Sequence, residues 1–402
     1  MEQTFKPWRL DEMPAWVKGI GLVVTYANPD LDVGILDKLA EQVDPEKTLL
    51  YLNKWRRDGY DVNYLDYTAK LEFGRFVEAA HQHGFRVMAH VNLVGVSPYH
   101  PLYAEFQKFQ YRDPWTGKLR GWFWDQMQAP NRHALINLAN SRFRNLLIQQ
   151  LKNVWEKYKV DAFHLDVSHL VVNDANGLIE GLNAGQGNVL MHRELVEAMP
   201  SVVFSGEHLH EVTFFRESFA QRWKLPPQQF EPTPRGPQQP RGTPHPISAF
   251  LFSPYTVPYG YLALPNPDRG TKLYQEYLNA YEHWGVLPTL SVWSVEDLDP
   301  ERARTHELLS IARTWQQLGL KPDFETDWEP ETLFQYVGQG GEIATLSAID
   351  GGAIFELPKD GAGYERVFGV TQVKTSRSLP HWRAYNETKI LGLHPEKSYF
   401  FK

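Results

Sequence analysis

Two acidic residues stand at the ends of two apolar segments of the sequence. Asp166 ends the run DAFHLD, and Glu207 ends the run SVVFSGE. Because successive side chains of a β-strand point to opposite faces, His164 and Asp166 are expected to share one face. Neighbouring parallel strands would bring both carboxyl groups to one rim, as the acid and nucleophile roles of glycoside hydrolysis require. The alternative for Asp166 is a structural role, as a helix cap or as the partner of a histidine.

Five histidines are expected near the same rim: His90, His164, His169, His208 and His210. Their first interpretation is hydrogen bonding to sugar hydroxyls and to the carboxylates, although some would only satisfy buried backbone groups. A second interpretation is a hydrolytic zinc site, which can use ligands at i, i+2 spacing. His208 and His210 have that spacing, as do His164 and Asp166. The chain has no cysteine, and its first apolar segment, GIGLVVTY, has no His-x-His, so we expect neither a metal nor another cofactor.

Further polar and aromatic residues follow the predicted strand ends, where stacking and paired hydrogen bonds to a sugar are formed. These candidates are Tyr26, Trp55, Asp61, Asp66, Asn92 and Trp293. Aromatic residues make up 13% of the chain. Core packing accounts for most of them, and the remainder favours a site lined by flat apolar faces.

Short apolar runs alternate with amphipathic stretches over most of the chain. We predict strands at 19–25, 48–52, 86–91, 161–167, 201–205, 247–252 and 286–292, with an eighth near 321–324. Apolar residues at i, i+3 and i+4 spacing predict helices between them, as in 143–158. Eight such units predict an α/β fold of the (β/α)₈ TIM-barrel type. No G-x-G-x-x-G follows a strand, which argues against a dinucleotide-binding fold.

Two long loops and a change of pattern complete the predicted organisation. The segment 93–140 carries Trp115, Trp122 and Trp124, and we expect it to line the substrate groove. The segment 224–246 is rich in proline and is expected to be a surface loop. After residue 324 short alternating runs with glycine turns predict a small antiparallel, β-sandwich-like module. The predicted domains are therefore a catalytic barrel, 1–324, and a C-terminal β domain, 325–402.

The two acidic segments resemble those of a known family. DAFHLDVSH is similar to the fourth-strand motif of the α-amylase superfamily and related α-glycosidase barrels, and SGEHLH is similar to their fifth-strand motif. The resemblance implies a hydrolase of α-linked glycans with Asp166 as nucleophile and Glu207 as acid/base. His164 stands where the family usually carries arginine. Candidates for the family's third carboxylate are Glu296, Asp297 and Asp299, and Asp297 is also expected to bind substrate.

Strand geometry predicts the stereochemical outcome. Neighbouring strands lie about 4.8 Å apart, so two acids at equivalent rim positions should approach the separation of about 5 to 5.5 Å found in retaining glycosidases. We therefore predict a retaining mechanism. The segment 55–66, which follows the second predicted strand, also resembles the entrance loops of uncharacterised glycosidase-like barrels.

Composition limits the choice of partners and location. The net charge is −7, from 41 Lys and Arg against 48 Asp and Glu, which provides no basic surface for nucleic acid. No apolar run approaches the roughly 18 residues of a membrane span, so carbohydrate is the expected partner. The absence of cysteine and of a leader-like start favours the cytoplasm, and also fits a secreted protein whose leader has been removed. A non-catalytic carbohydrate-binding barrel stays open as an alternative function.

Overall fold

A computed structural model of the 402-residue chain describes residues 12–122, 133–208, 210, 212–222, 252, 255–260 and 286–318, with the backbone of five strands after residue 333. The chain has two compact units, and in the first of them eight parallel strands lie side by side. They are β1 (Leu22–Tyr26), β2 (Thr48–Leu52), β3 (Arg86–Asn92), β4 (Ala162–Asp166), β5 (Val203–Glu207), β6 (Phe219–Arg222), β7 (Val257–Gly260) and β8 (Thr289–Val292).

The eight strands close into a barrel. Their order is β7-β6-β5-β4-β3-β2-β1-β8, and a parallel bridge joins Tyr259 of β7 to Leu287, two residues before β8. At this bridge the Leu287 amide donates to the Pro258 carbonyl at 2.9 Å. The predicted (β/α)₈ barrel with a small β domain is therefore confirmed.

Helices surround the barrel. Those of the described residues are α1 (Ala15–Gly19), α2 (Gly34–Ala40), α3 (Phe73–His83), α4 (Tyr103–Phe106), α5 (Ser141–Tyr158), α6 (Ala184–Ala198) and α7 (Ala303–Leu318), with short 3₁₀ turns at Pro45–Lys47, Gln107–Phe109, Phe214–Arg216 and Val295–Leu298. None of these helices is both long and apolar enough to cross a membrane.

The helices begin and end where the sequence provides caps. Before α5, Asn140 accepts a hydrogen bond from the Phe143 amide at 2.9 Å. The helix α6 begins with a capping box formed by Asn183 and Gln186. The helix α3 ends at Gly84, whose φ of 99° lies in the left-handed region that glycine adopts without strain.

Each barrel strand has an outer and an inner face. Outward side chains such as Val24, Leu50 and Phe163 belong to the main apolar core, which the surrounding helices complete. Inward side chains such as Val23 and Val203 belong to a second, smaller cluster inside the barrel. Because both faces are buried, the strands appear in the sequence as continuous apolar runs.

The sixth and seventh barrel strands correct the predicted element list. The strand β6 was missed because it has only four residues, two of them Gln221 and Arg222. The strand β7 contains Pro258, which weakens the strand pattern because proline lacks an amide hydrogen. The predicted strand at 247–252 falls almost entirely outside the described residues, and the one near 321–324 lies wholly outside them, as does the loop 224–246.

The predicted insertion after β3 forms a small sheet of its own. Its antiparallel strands are Gly95–Val96, His133–Leu135 and Gly121–Trp122, with the second strand in the centre. Trp115 and Trp122 belong to this insertion, whereas Trp124 lies outside the described residues.

The second unit contains one antiparallel sheet. Its strands are β9 (Phe334–Val337), β10 (Ile343–Ile349), β11 (Gly352–Glu356), β12 (Glu365–Phe368) and β13 (Ser398–Phe401), in the order β12-β9-β10-β11-β13. The alternating pattern predicted this sheet. The domain limit at residue 324 and the sandwich-like architecture stay predictions.

Candidate active site

Asp166 and Glu207 are the last residues of two adjacent barrel strands. In the pairing of β4 with β5, Leu165 lies opposite Gly206, the residues that directly precede the two acids. The amide of Val167, which follows Asp166, donates to Glu207 Oε2 at 2.9 Å. Both acids therefore lie at the carboxyl ends of parallel strands, where barrels place their reactive groups.

Asp166 is held from the side of β3. Asn92 lies opposite Asp166 in the register and donates from Nδ2 to Asp166 Oδ2 at 2.9 Å. His90 Nε2 lies 3.8 Å from the same oxygen. Burial and the charge of Glu207 raise the pKa of Asp166 to about 6, against the opposing effect of His90. The environment thus favours a proton on Asp166.

Glu207 is held by two nitrogen groups of the turn after β4. Its Oε2 accepts from the Val167 amide, and His169 Nδ1 lies 3.3 Å from the same oxygen. Burial alone would raise the pKa of Glu207, but the hydrogen bond and charge of His169, with the Val167 amide, lower it to about 2. The pKa of His169 is raised in turn, because its interactions with Glu207 outweigh its burial. Glu207 and His169 therefore form an ion pair.

A polar layer lies one step below the acids inside the barrel. His164 is fully buried, with Nδ1 2.9 Å from the hydroxyl of Tyr259 and 3.2 Å from that of Ser205. Its ring meets those of Tyr51 and His90, with centroids 4.9 and 5.8 Å away. Burial and the neighbouring His90 lower the pKa of His164 to about 3, so the ring is neutral. His164, predicted to contact sugar, instead supports the floor of the site.

Asp61 is a third acidic residue whose charge reaches the pair. It is buried, accepts from the Tyr64 hydroxyl at 3.0 Å and helps to raise the pKa of Asp166. Its charge also acts on Tyr60 and on His133, whose ring lies 4.8 Å from that of Tyr64. Asp61 was predicted as a sugar contact, and the structure brings it to the Asp166 side of the site.

Tyr26 and Trp55, two predicted sugar contacts, are core residues. Tyr26 faces outward from β1, where its ring packs on Phe76 at 4.7 Å and its hydroxyl donates to the Asp32 carbonyl. Trp55 has no exposed surface and donates from Nε1 to the His90 carbonyl at 2.7 Å. Neither ring can stack on a ligand without unfolding of the chain around it, so these two assignments were wrong.

Asp66 and Asp297 stabilise turns. Asp66 accepts from the Thr68 amide at 2.8 Å and pairs with Arg57 at 2.6 Å. Asp297 accepts from the amides of Trp293 and Ser294 at 2.7 and 3.1 Å, and so caps the 3₁₀ turn after β8. Short acidic side chains in loops satisfy local amides in this way. The structure therefore does not support a substrate-binding role for either residue.

The other candidates for a third carboxylate also have local partners. Asp299 pairs with Lys38. Glu296 is exposed, and a hydrogen bond from Ser294 lowers its pKa. The structure brings neither of them to the carboxylate pair.

Of the three remaining predicted residues, His208 and Trp293 lie at the rim of the barrel and His210 lies in a turn. The ring of His208 meets that of His169 edge-on at 4.8 Å, so His208 lies beside the ion pair. His210 accepts from the Val212 amide on Nδ1 at 3.1 Å and thereby shapes the following turn. Trp293 follows β8 and keeps 48% of its surface exposed, with Lys54 Nζ 4.1 Å from its ring centre. Of these three, Trp293 is the exposed aromatic surface of the rim.

The insertion after β3 carries two exposed tryptophans. Trp115 is 92% exposed and Trp122 is 44% exposed. Trp115 stands in a turn that Asp113 stabilises by accepting from the amides of Trp115 and Thr116. Their role as a groove wall stays a prediction.

Sequence reasoning missed several residues of the site. Tyr259 was missed because the adjacent Pro258 weakens the strand pattern. His133 was missed because it lies in the insertion 93–140, where tryptophans were the expected contacts. Tyr60, whose ring lies 4.9 Å from that of His90, stands in the segment 55–66 that was identified as an entrance loop. Among the described residues, no group of three or more His, Asp and Glu side chains is arranged so that it could hold a metal ion.

No protein-family model matches the chain. A search of curated protein sequences also finds no match.

Solved structures share the barrel. The α-N-acetylgalactosaminidase NagBb from Bifidobacterium bifidum, in complex with GalNAc, matches with a TM-score of 0.54 at 13% identity, over 91% of this chain and 61% of that one. A variant of the GH36 α-galactosidase AgaA from Geobacillus stearothermophilus, in complex with stachyose, matches with a TM-score of 0.50 at 12% identity, over 92% of this chain and 50% of that one. The chain has a glycosidase-type barrel fold.

The likeness concerns the fold alone. This chain spans about three fifths of the length of NagBb and half that of AgaA. The expected divergent glycosidase-like barrel is confirmed at the level of fold. By name the two neighbours are an α-N-acetylgalactosaminidase and an α-galactosidase, so membership of the α-amylase superfamily in particular stays a prediction.

Proposed function

We propose that the chain is a retaining glycoside hydrolase that acts on an α-linked glycan, with Asp166 and Glu207 as the reacting carboxyl groups. The observation that carries this proposal is their position on adjacent strands at the carboxyl end of the barrel, in environments that separate their pKa values. Retaining hydrolysis needs one ionised and one protonated carboxyl group. The α linkage is supported by the sequence resemblance and by the names of the structural neighbours, each of which is an α-glycosidase.

The contacts of the pair favour one distribution of its proton. Glu207 Oε2 faces the Val167 amide and the ring of His169, whereas Asp166 has the uncharged Asn92 amide as its donor at hydrogen-bond distance. Hydrogen bonds to the charged form favour that form. We therefore propose that Glu207 is the ionised nucleophile and Asp166 the proton donor, the reverse of the roles that the sequence resemblance implies.

The chemistry of this assignment follows in two steps. Glu207 attacks the anomeric carbon while Asp166 gives its proton to the departing glycosidic oxygen, which leaves a glycosyl ester on Glu207. Asp166, now ionised, then takes a proton from water as that water displaces the ester. Asn92 orients Asp166 in both steps, and the charge of His169 keeps Glu207 ionised before attack.

Substitution of each acid tests the function. Asp166→Asn and Glu207→Gln should each lower kcat/KM on a natural glycan by at least about 10³-fold while the fold is kept. Asp37→Asn is the matched control, because its exposed carboxyl pairs with His83 on a different surface. Near-wild-type turnover in either active-site variant would remove that residue from the reacting pair.

Azide rescue decides between the two role assignments. With an aryl α-glycoside that has a good leaving group, the proton-donor variant still forms the glycosyl ester, and azide then yields the α-glycosyl azide. The nucleophile variant instead yields the β-glycosyl azide by direct attack. We expect the α product from Asp166→Asn and the β product from Glu207→Gln. The opposite pair of products would restore the roles expected from the sequence.

A further inference from the structure

A buried ion pair lies next to β5, outside the reacting pair. His192 of α6 and Glu217, which precedes β6, approach at 3.1 Å between Nε2 and Oε1, and each side chain is 1% exposed. His192 Nδ1 faces the Asn188 carbonyl at 2.9 Å, so that nitrogen carries a hydrogen. A hydrogen between Nε2 and Oε1 joins the two side chains. Because both side chains are almost fully buried, the pair is sealed from water.

Stability is a poor explanation for this pair. Moving two charged groups out of water is costly, and apolar residues of the same volume commonly stabilise a core as well or better. The pair is nevertheless fully satisfied, because Glu217 Oε2 also accepts from the Thr213 hydroxyl at 2.9 Å. A buried network in which every group is hydrogen-bonded makes the surrounding backbone rigid, and this role accounts for the pair.

Glu217 lies directly against the strand that carries Glu207. A Cβ atom added to Gly206 would lie 2.1 Å from Glu217 Oε2, a distance that no pair of these atoms tolerates. Any side chain at position 206 would therefore have to displace the Glu217 carboxyl, which occupies the space of a side chain. The backbone that precedes Glu207 rests on this carboxyl group.

The helix side of the network reaches the turn whose nitrogens face Glu207. Asn188, whose carbonyl accepts from His192, donates from Nδ2 to the Ser168 carbonyl at 3.1 Å. Ser168 stands between Val167 and His169, the two residues whose nitrogens face Glu207 Oε2. One network therefore contacts both the strand end that carries Glu207 and the turn that holds the Val167 amide and the His169 ring.

We propose that Glu217 and His192 are positioning residues that fix Glu207 relative to the Val167 amide and the His169 ring. The inference rests on the proposed function only in taking Glu207 as a reacting group. The charged or titratable groups around His169 are Glu207, Asp166, Glu217 and the ring of His208. The charge of Glu217 is one of those that raise the pKa of His169. Removal of that charge should therefore lower the pKa of His169.

Glu217→Gln tests the proposal with little change of shape. The glutamine amide can donate to His192 Nε2 while its oxygen accepts from Thr213, so every hydrogen bond is kept and the carboxyl group is removed. We expect kcat to fall about 10-fold with KM nearly unchanged, because the bound state is formed but Glu207 is misaligned. We also expect the pKa of His169, followed by NMR of its ring in the free protein, to fall. Gly206→Ala, which displaces the Glu217 carboxyl, should lower kcat in the same way.

Glu194→Gln is the matched control. Glu194 lies on the same helix as His192, and its carboxyl pairs with Arg144 at 2.8 Å. This variant should leave both kcat and the His169 titration unchanged. A folded Glu217→Gln protein with wild-type kcat and an unchanged His169 titration would overturn the proposal.

Misfolding and inactivity also give decisive results. If Glu217→Gln does not fold, His192→Gln tests the same contact, and failure of both variants to fold would assign the pair to stability and overturn the positioning role. The NMR titration needs no turnover. A wild-type protein that hydrolyses no glycoside, but in which Glu217→Gln shifts the His169 titration, would refute the proposed function and leave the positioning contact supported.

Discussion

Asn92 presents its amide hydrogen to Asp166 because the other end of the same amide is already occupied. Asn92 Oδ1 accepts from the backbone amides of Val94 and Gly95 at 3.2 and 2.6 Å, and Nδ2 then lies 2.9 Å from Asp166 Oδ2. The Asn92 backbone is held as well, since its carbonyl accepts from the Tyr67 hydroxyl at 2.7 Å. The side chain can therefore donate to Asp166 in one orientation only.

Replacing this donor by an acceptor should damage the site without changing its shape. In Asn92→Asp the Val94 and Gly95 amides stabilise a new carboxylate beside Asp166, whose pKa then rises further. We expect kcat/KM to fall about 10²-fold and the alkaline limb of its pH profile to move upward. Asn145→Asp, on the exposed surface of α5, is the control. An unmoved alkaline limb would show that Asn92 does not set the protonation of Asp166.

The pH profile of the wild-type enzyme should be acidic. The proton donor is Asp166, whose pKa is raised to about 6, so kcat/KM should decline as the pH rises through that value and the proton is lost. In Asp166→Asn, assayed on an activated aryl glycoside that needs no proton donor, this limb should disappear. An optimum above about pH 7.5 would contradict the assignment.

The two acids should affect stability in opposite directions. The pKa of folded Asp166 lies above the value of about 3.9 for an unfolded aspartate, so its ionisation destabilises the fold as the pH rises from about 4 to 6. The pKa of folded Glu207 is lowered to about 2, so its ionisation stabilises the fold above about pH 4.5, and this stabilisation is lost as the pH falls toward 2.

At pH 8, Asp166→Asn should therefore raise the free energy of unfolding by on the order of 2 kcal/mol, and at pH 4 it should have little effect. Glu207→Gln should lower the free energy of unfolding at pH 8. Urea denaturation of both variants at the two pH values measures these differences. Equal signs for the two substitutions at pH 8 would refute the protonation states described for the pair.

Two tryptophans near the rim should respond in different ways to substitution. Trp293 is half-exposed, so Trp293→Ala should raise KM with little change in Tm if a sugar ring stacks there. Trp55 is a core residue with a buried hydrogen bond to the His90 carbonyl, so Trp55→Phe should lower Tm through that unsatisfied carbonyl. Michaelis–Menten kinetics and thermal melts on both variants separate these effects. An unchanged KM in Trp293→Ala would remove Trp293 from the substrate surface.

Chelation tests the alternative of a metal-dependent hydrolase. Dialysis against a strong chelator should leave kcat/KM unchanged, since the proposed mechanism uses two carboxyl groups and no metal. Loss of activity that zinc restores would instead favour the histidine-rich rim as a metal site. Measurement in metal-free buffer, with and without added zinc, gives this result directly.

Strand alternation explains which parts of the site could be predicted. Asp166 and Glu207 end strands whose inward face can be recognised from the sequence, because the polar residues His164 and Ser205 stand two positions before them. Tyr26 ends the strand LVVTY, in which valines occupy both faces and only Thr25 is polar, so its outward direction depends on where the helices pack. One threonine does not show which face of such a strand is inward, and Tyr26 was assigned wrongly.

Loop residues were harder to predict for a different reason. Asp61 and Asp66 lie five positions apart in the same loop, yet Asp61 is buried beside the site and Asp66 caps a turn. The residue type is the same, and the difference comes from three-dimensional contacts with Tyr64 and Arg57. The His192–Glu217 pair was likewise beyond the sequence, since its partners are 25 positions apart on elements that show no shared pattern.

The closure of the barrel determines where the fold opens most easily. Among the residues that the structure describes, seven of the eight strand junctions are ladders of three to five paired residues, whereas β7 meets the chain before β8 through one bridge, Tyr259–Leu287. Beyond that bridge the Gly260 amide donates to the Thr289 side chain at 2.8 Å. Within the described part of the barrel, local unfolding therefore costs least at this seam. Because Tyr259 also contacts His164, thermal opening of the seam would admit water beneath the carboxylates before the rest of the barrel unfolds.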